Sequence, residues 1–338
     1  MNSILITGGA GFIGSNFIPF FLDKNTDLKV VNLDLLTYAG DLKNLSECST
    51  SNRYTFIHGD ITDRALLEDI FRKHNIAGVI HFAAESHVDN SINNPDVFIK
   101  TNINGSFTLL DVAYKSWMDG PGMKKENFKY ARFHHVSTDE VYGSLGESGL
   151  FLETTPYAPN SPYSAAKASS DMLVRSYHET YGMNTVITNC SNNYGPKQHK
   201  EKLIPKIIYN AINGEKIPIY GDGKNIRDWL YVLDHCKGIE LAFHNGLSGN
   251  VYNIGGKNER TNLEIVYTIC DILDKEYPKP NSYKDLITFV EDRAGHDKRY
   301  AIDATKIEEN LSWKADENFD TGIKKTIKWY MNQIKDGT

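Results

Sequence analysis

Runs rich in β-formers alternate with amphipathic helical stretches through the first 190 residues, and this alternation restricts the fold more than any other feature of the chain. "SILIT" (3–7) precedes the helical "GFIGSNFIPFFLDK"; "LKVVNLD" (28–34) and "YTFIHGDI" (54–61) follow, the latter leading into "DRALLEDIFRKH". "AGVIHFAAE" (77–85) leads into a long helix through "PDVFIKTNINGSFTLLDVAYKSW". "YARFHHVST" (130–138) and "NTVITNC" (184–190) flank the helical "SPYSAAKASSDMLVRSYHETYG". Apolar strands separated by helices imply a parallel sheet covered on both faces, with right-handed crossovers and a ligand crevice beyond the strand carboxyl ends. From about residue 191 the pattern is less regular. "VYNIGG" (251–256) reads as one more core strand, and helices are expected near 262–276 and 320–335. The expected fold is α/β: a doubly wound parallel sheet from residues 1–190 plus roughly 228–256, with a smaller, interleaved C-terminal α/β domain from 191–227 and 257–338.

"TGGAGFIG" (7–14) makes that sheet Rossmann-type. It follows the first strand and opens the first helix, with Gly8, Gly11 and Gly14 spaced three apart. Gly9, Gly11 and Gly14 also fit GxGxxG. Such a turn is tight and lets a pyrophosphate approach bare backbone, while the helix N-terminus offers free N–H groups. Asp34 closes the second strand twenty residues after Gly14. A carboxylate there accepts ribose hydroxyls and repels a 2′-phosphate, which favours NAD over NADP. Asp60 could meet the adenine amine or simply cap the helix before "TDRALL".

Composition excludes several alternatives. With 37 basic and 43 acidic residues the net charge is −6, which gives no support to a nucleic-acid partner. No apolar run approaches the roughly 18 residues of a membrane span, and the N-terminus does not read as a signal peptide. Cys48, Cys190, Cys236 and Cys270 are scattered, as free thiols in a reducing cytoplasm would be. His134 and His135 would face opposite sides of a strand, and no metal site is expected.

"PNSPYSAAKAS" (159–169) places Ser161 as an N-cap, Pro162 as the first helical residue, and Tyr163 and Lys167 four apart on one face. A nearby ammonium and a helix N-terminus are expected to favour the tyrosine's phenolate. The glycine fingerprint together with YxxxK resembles the short-chain dehydrogenase/reductase superfamily, and the length its extended, nucleotide-sugar branch. That resemblance implies that Tyr163 is the acid/base, that Lys167 binds the nicotinamide ribose, and that Thr138 is the hydroxyl residue on the fifth strand.

"HHVSTDEVYGS" (134–144) sets Asp139 and Glu140 side by side where that strand ends. A capping box, Ser137-x-x-Glu140, needs a helix behind it, and three glycines follow instead. If the chain turns at Thr138, both carboxyls line the crevice; their repulsion would keep one protonated, giving an acid and a base at one pH. Elimination of water needs such a pair, whereas a nucleotide-sugar 4-epimerase, the first rival, does not. A catalytically dead dinucleotide-binding regulator is the second. "STDEVYG", "YSAAKA", "LTYAG", "CSNNYGP", "GDGKNIRDWLYV" and "DRAGHDKRYAID" are similar to the nucleotide-sugar 4,6-dehydratases of that branch along nearly the whole chain.

This resemblance implies tightly bound NAD, a nucleotide-sugar substrate, dTDP-glucose, and a homodimer through the two long helices. CDP-glucose, GDP-mannose or a UDP-sugar stays open as the substrate. Phe12, Ile13, Leu35, Leu36, Thr37, Ile61, Phe82, Ala83, Ala84, Glu85, Ser86, Thr101 and Asn193 are implied cofactor contacts beside Gly8, Gly11, Gly14, Asp34, Asp60, Tyr163 and Lys167. Ser86, Thr138, Asn192, Lys202, Leu203, Pro218, Ile219, Tyr220, Arg227, Asn262, Asp292, Arg293, Ala294, Gly295 and His296 are implied substrate contacts. The sequence departs from the expected pattern at Asn189, where arginine is expected, at Ala294 (proline), Leu233 (glutamate) and Ala166 (serine).

Overall fold

A computed structural model describes residues 3–292 and 297–335. Seven parallel strands form the main sheet, in the order Val251–Ile254, Thr185–Cys190, Arg132–Thr138, Ile76–His81, Ser3–Thr7, Lys29–Asp34, Tyr54–His58. The order reverses between Ser3–Thr7 and Ile76–His81, so a crevice opens at their carboxyl ends, as expected of a doubly wound sheet. Side chains alternate across it. Ile4 and Ile6 pack with Phe17, Phe21, Cys236 and Ile239 on one face. Leu5 packs with Leu67, Leu109, Leu110 and Val174 on the other. Burial of each large apolar side chain contributes about 1.5–3 kcal/mol, which holds both helical layers on the sheet.

Residues 95–117 form a continuous helical run with an unexpected middle. Pro95–Phe98 and Ser106–Trp117 are α-helical, but Ile99–Gly105 is a π-helix. Gly105 permits the close fit there, since a Cβ would stand 2.6 Å from Ile61 Cδ1.

The C-terminal region has its own core around Ile207, Trp229, Ile269 and Phe319. Its small sheet centres on Ile226–Tyr231, which pairs with Asn192–Tyr194, Glu259–Thr261 and Arg299–Tyr300. Ile217–Tyr220 pairs separately with Ile287–Val290. Only Ser191 separates Thr185–Cys190 of the main sheet from Asn192–Tyr194 of the small one, so the chain crosses the crevice at that point.

Candidate active site

A crevice of about 330 Å³ runs along the carboxyl ends of the parallel strands. Its first wall is the glycine turn. Gly8 has φ +73°, and a Cβ there would stand 2.6 Å from Ala83 N. A Cβ on Gly14 would meet Gly8 O at 2.5 Å. The helix Phe12–Lys24 starts at Gly11 with no side-chain cap, so its first N–H groups are left for a ligand. Asp34 is held open-faced by Ala10 N (2.8 Å) and Leu36 N (2.8 Å). This bare cradle with an acid at its far end fits a dinucleotide such as NAD.

Asp60 caps no helix. Its Oδ1 accepts from Thr62 N at 2.8 Å, while Asp63 caps the helix Arg64–His74 through Leu66 N. Asp60 and Ile61 line the crevice with Phe82, Ala83, Ala84, Glu85, Ser86, Thr101 and Asn193. Leu36 does not line it; its φ of 53° turns the chain under Asp34. Asn102, which the sequence reading passed over, pins the 82–86 segment by bonding both Glu85 N (2.9 Å) and Glu85 O (3.0 Å) from the π-helix.

The opposite wall carries the reactive groups. The strand Arg132–Thr138 ends in a single 3₁₀ turn, Asp139–Tyr142, capped by Thr138, whose Oγ1 accepts from Glu140 N at 3.3 Å. Thr138, not Ser137, is therefore the cap, and the turn brings Thr138, Asp139 and Glu140 together into the crevice. Asp139 is buried, and its Oδ2 has no hydrogen-bond partner among the described residues. Burial first, then the charges of Glu140 and Asp228, push its carboxyl well above the usual carboxylate range, with Arg227 opposing. The protonated, acid form of Asp139 is thus favoured beside Glu140.

Tyr163 and Lys167 project from the helix Pro162–Tyr181, fixed at its start by a Ser161–Ser164 capping box and by Pro162. Both line the crevice. The expectation that the ammonium favours phenolate is corrected here. Lys167 Nζ is drawn to Val136 O (2.7 Å), and burial, with Glu140 next, pushes the Tyr163 hydroxyl well above its ordinary value. Adjacency on a helix face does not reveal burial.

Of the remaining substrate positions, Ser86, Asn192 and Lys202 line the crevice. Asn192 Oδ1 is buried without a partner among the described residues, and Lys202 Nζ donates to Ser86 O at 3.0 Å. Leu203 starts the helix Leu203–Asn213, and Asn262 starts Asn262–Glu276. Pro218, Ile219 and Tyr220 lie on the paired strands, and Asp292 faces Gly221. Arg227 is buried, donates to Asp297 O at 2.9 Å and stacks 4.3 Å from the Tyr300 ring centre. None of these six positions and Arg227 touches the crevice itself. Arg293, Ala294, Gly295 and His296 lie outside the described residues. Of the departures, Asn189 donates to Tyr142 and Tyr157 hydroxyls in the core beneath the site, Ala166 is buried and Leu233 is exposed. Among the described residues no cluster could hold a metal ion, and no helix is long and apolar enough to cross a membrane.

The chain is 54% identical to a dTDP-glucose 4,6-dehydratase of Salmonella typhimurium, covering 99% of this chain and 96% of that one. The chain belongs to the dTDP-glucose 4,6-dehydratase family. A relative of that name from Neisseria gonorrhoeae is 52% identical over 98% of this chain and 96% of its own length. The broader GDP-mannose 4,6 dehydratase family model matches residues 5–326. A dTDP-glucose 4,6-dehydratase from Bacillus anthracis, crystallised with NAD, is 43% identical with a TM-score of 0.87, covering 99% of this chain and 98% of that one. A Thermotoga maritima UDP-glucose 4-epimerase, 28% identical and covering 98% and 99%, reaches 0.85. The backbone is therefore common to dehydratase and epimerase, and the side chains at the strand ends must separate them.

Proposed function

We propose that the protein converts dTDP-glucose to dTDP-4-keto-6-deoxyglucose and water. The observation that carries this is the turn at Thr138, which sets Asp139, its carboxyl pushed up by burial, beside Glu140 in the crevice that holds Tyr163 and Lys167. NAD, when bound, would supply the hydride acceptor for C4 and the hydride donor for C6, so no outside oxidant is needed. Its proposed holders are the glycine turn, Asp34, Asp60 and the segment Phe82–Ser86, with Lys167 at the nicotinamide ribose. Tyr163, ionised when the positive charge of bound NAD offsets the effect of burial, takes the O4 proton, and Thr138 orients that oxygen. The ketone acidifies the C5 proton; Glu140 removes it, and Asp139 protonates the departing C6 hydroxyl. C5 is then reprotonated. Each positioned proton transfer is asked for about 10²–10⁴ in rate.

Arg227, Asn192 and Lys202 are proposed to hold the diphosphate and nucleotide, with Asn262, Asp292 and the 218–220 strand. Arginine suits phosphate because its fork bonds two oxygens at once. A homodimer through the two long helices is supported by exposed Val97, Ile99, Phe107 and Met172 on them. A cytoplasmic location agrees with four buried free cysteines.

Incubation with dTDP-, UDP- and CDP-glucose and GDP-mannose tests the reading. The alkali-sensitive absorbance of a ketosugar is expected with dTDP-glucose. A C4-inverted sugar as sole product would replace the dehydratase reading with an epimerase.

A further inference from the structure

Tyr163, Lys167 and Asp171 are spaced four apart on the helix Pro162–Tyr181 and stack along its buried face. The first two reach the crevice; Asp171 lies 2% exposed beneath them. Its Oδ2 accepts from Ser137 Oγ at 2.9 Å and from the Tyr157 hydroxyl at 3.0 Å. Its Oδ1 faces His135 Nε2 at 3.2 Å and has no hydrogen-bond donor among the described residues. The same imidazole nitrogen lies 3.4 Å from Lys167 Nζ. One ring nitrogen therefore stands between a buried ammonium and a buried carboxylate.

A charge in such a place is costly unless it is balanced. The other titratable groups packed around it provide no balance. His135 comes from the strand Arg132–Thr138, and His81, from Ile76–His81, lies with its ring centre 5.2 Å away. Burial pushes both rings well below their usual range, so they stay neutral. Cys190, Tyr142 and Tyr157 are pushed up by burial and stay protonated, and burial likewise opposes ionisation of Tyr163. We propose that Asp171 is a positioning residue, the buried counter-charge that, across His135, keeps Lys167 ionised and fixed against the Val136 carbonyl. The directions agree. Burial pulls Lys167 down to about 8, with Asp171 opposing first. Burial pushes Asp171 up to about 6, with Lys167 opposing first. Both are charged between those two values. The role in turnover rests on the dTDP-glucose reading above; the charge balance itself does not.

The test is Asp171→Asn, which keeps the shape and removes the charge. Without the carboxylate the ammonium loses its proton at lower pH. In the NAD-loaded enzyme, the alkaline limb of kcat/KM for dTDP-glucose should move down by about one pH unit or more, the scale of a nearby opposite charge. Substrate-free, the Lys167 ammonium, followed by ¹⁵N-lysine NMR and assigned by its loss in Lys167→Met, should titrate lower by the same amount. Asp171→Glu should restore part of both. Tyr157→Phe, which stays informative if Asp171→Asn does not fold, keeps the charge but removes a bond that favours it. Asp171 then takes up its proton at higher pH, so the acid limb moves up. A lysine titration unchanged in Asp171→Asn, or an acid limb unmoved in Tyr157→Phe, overturns the proposal. A wild-type enzyme that leaves dTDP-glucose untouched overturns the functional reading instead, and the lysine titration still decides Asp171.

Discussion

The parallel-sheet region and the C-terminal region are finished to different degrees. In the first, all five residues of Ser3–Thr7 are buried, a Cβ at Gly8 or Gly14 would clash with backbone, and Asp34 is locked by two backbone N–H groups. In the second, the paired strands Ile217–Tyr220 and Ile287–Val290 leave Tyr220, Phe289 and Val290 exposed, Phe289 by 56%. Exposed apolar groups can mark a surface that a ligand or partner covers. Under the proposed function, the contrast separates a preformed chemical half from a half proposed to bind the nucleotide. Substitutions in the first should act on kcat and cofactor retention, and those in the second on KM.

The largest expected effect tests the chemical half. Glu140→Gln should lower kcat by about 10²–10⁴, the usual worth of a positioned base. It should still oxidise C4, seen as reduced-nicotinamide absorbance, and stall before water leaves; turnover at the wild-type rate would remove Glu140 from the base role. Next is the cradle. Gly8→Ala forces a side chain at φ +73° to within 2.6 Å of Ala83 N. A loss of about 1–3 kcal/mol of stability is expected, with enzyme purified free of NAD, read by thermal melting and cofactor content. In the binding half, Arg227→Lys should raise KM about tenfold, near 1.4 kcal/mol, and leave kcat alone. A fall in kcat alone would mean that Arg227 acts on Asp139, whose charged form it favours. The smallest effect is Phe289→Ser, with KM raised a few-fold and stability within about 0.5 kcal/mol of the parent.

The same division runs through what was legible in advance. The glycine turn, the Ser161–Pro162 start and the Tyr163–Lys167 spacing are local, and each stands where the sequence placed it. Boundaries were less secure. The helix after Tyr54–His58 is capped by Asp63, which bonds within its own turn, and no pattern of apolar residues distinguishes it from Asp60. The π-helical stretch Ile99–Gly105 has the same apolar spacing as an ordinary helix, so only the backbone reveals it. Asn102 and Asp171 were missed because their partners, Glu85 and His135, come from other elements. Asp171 had a faint signal, a third polar position four residues beyond Lys167 on a face that is otherwise packed.

By itself, the sequence determined the order of strands and helices, the bare phosphate-sized turn, and which proton-carrying side chains are present. These depend on short-range steric and hydrogen-bonding rules that act within a few residues. Only the tertiary structure decided their protonation. The Asp139 carboxyl and the Tyr163 hydroxyl are both pushed up because strands and helices distant in the chain exclude water around them, and the energy of a charge depends on what surrounds it on every side.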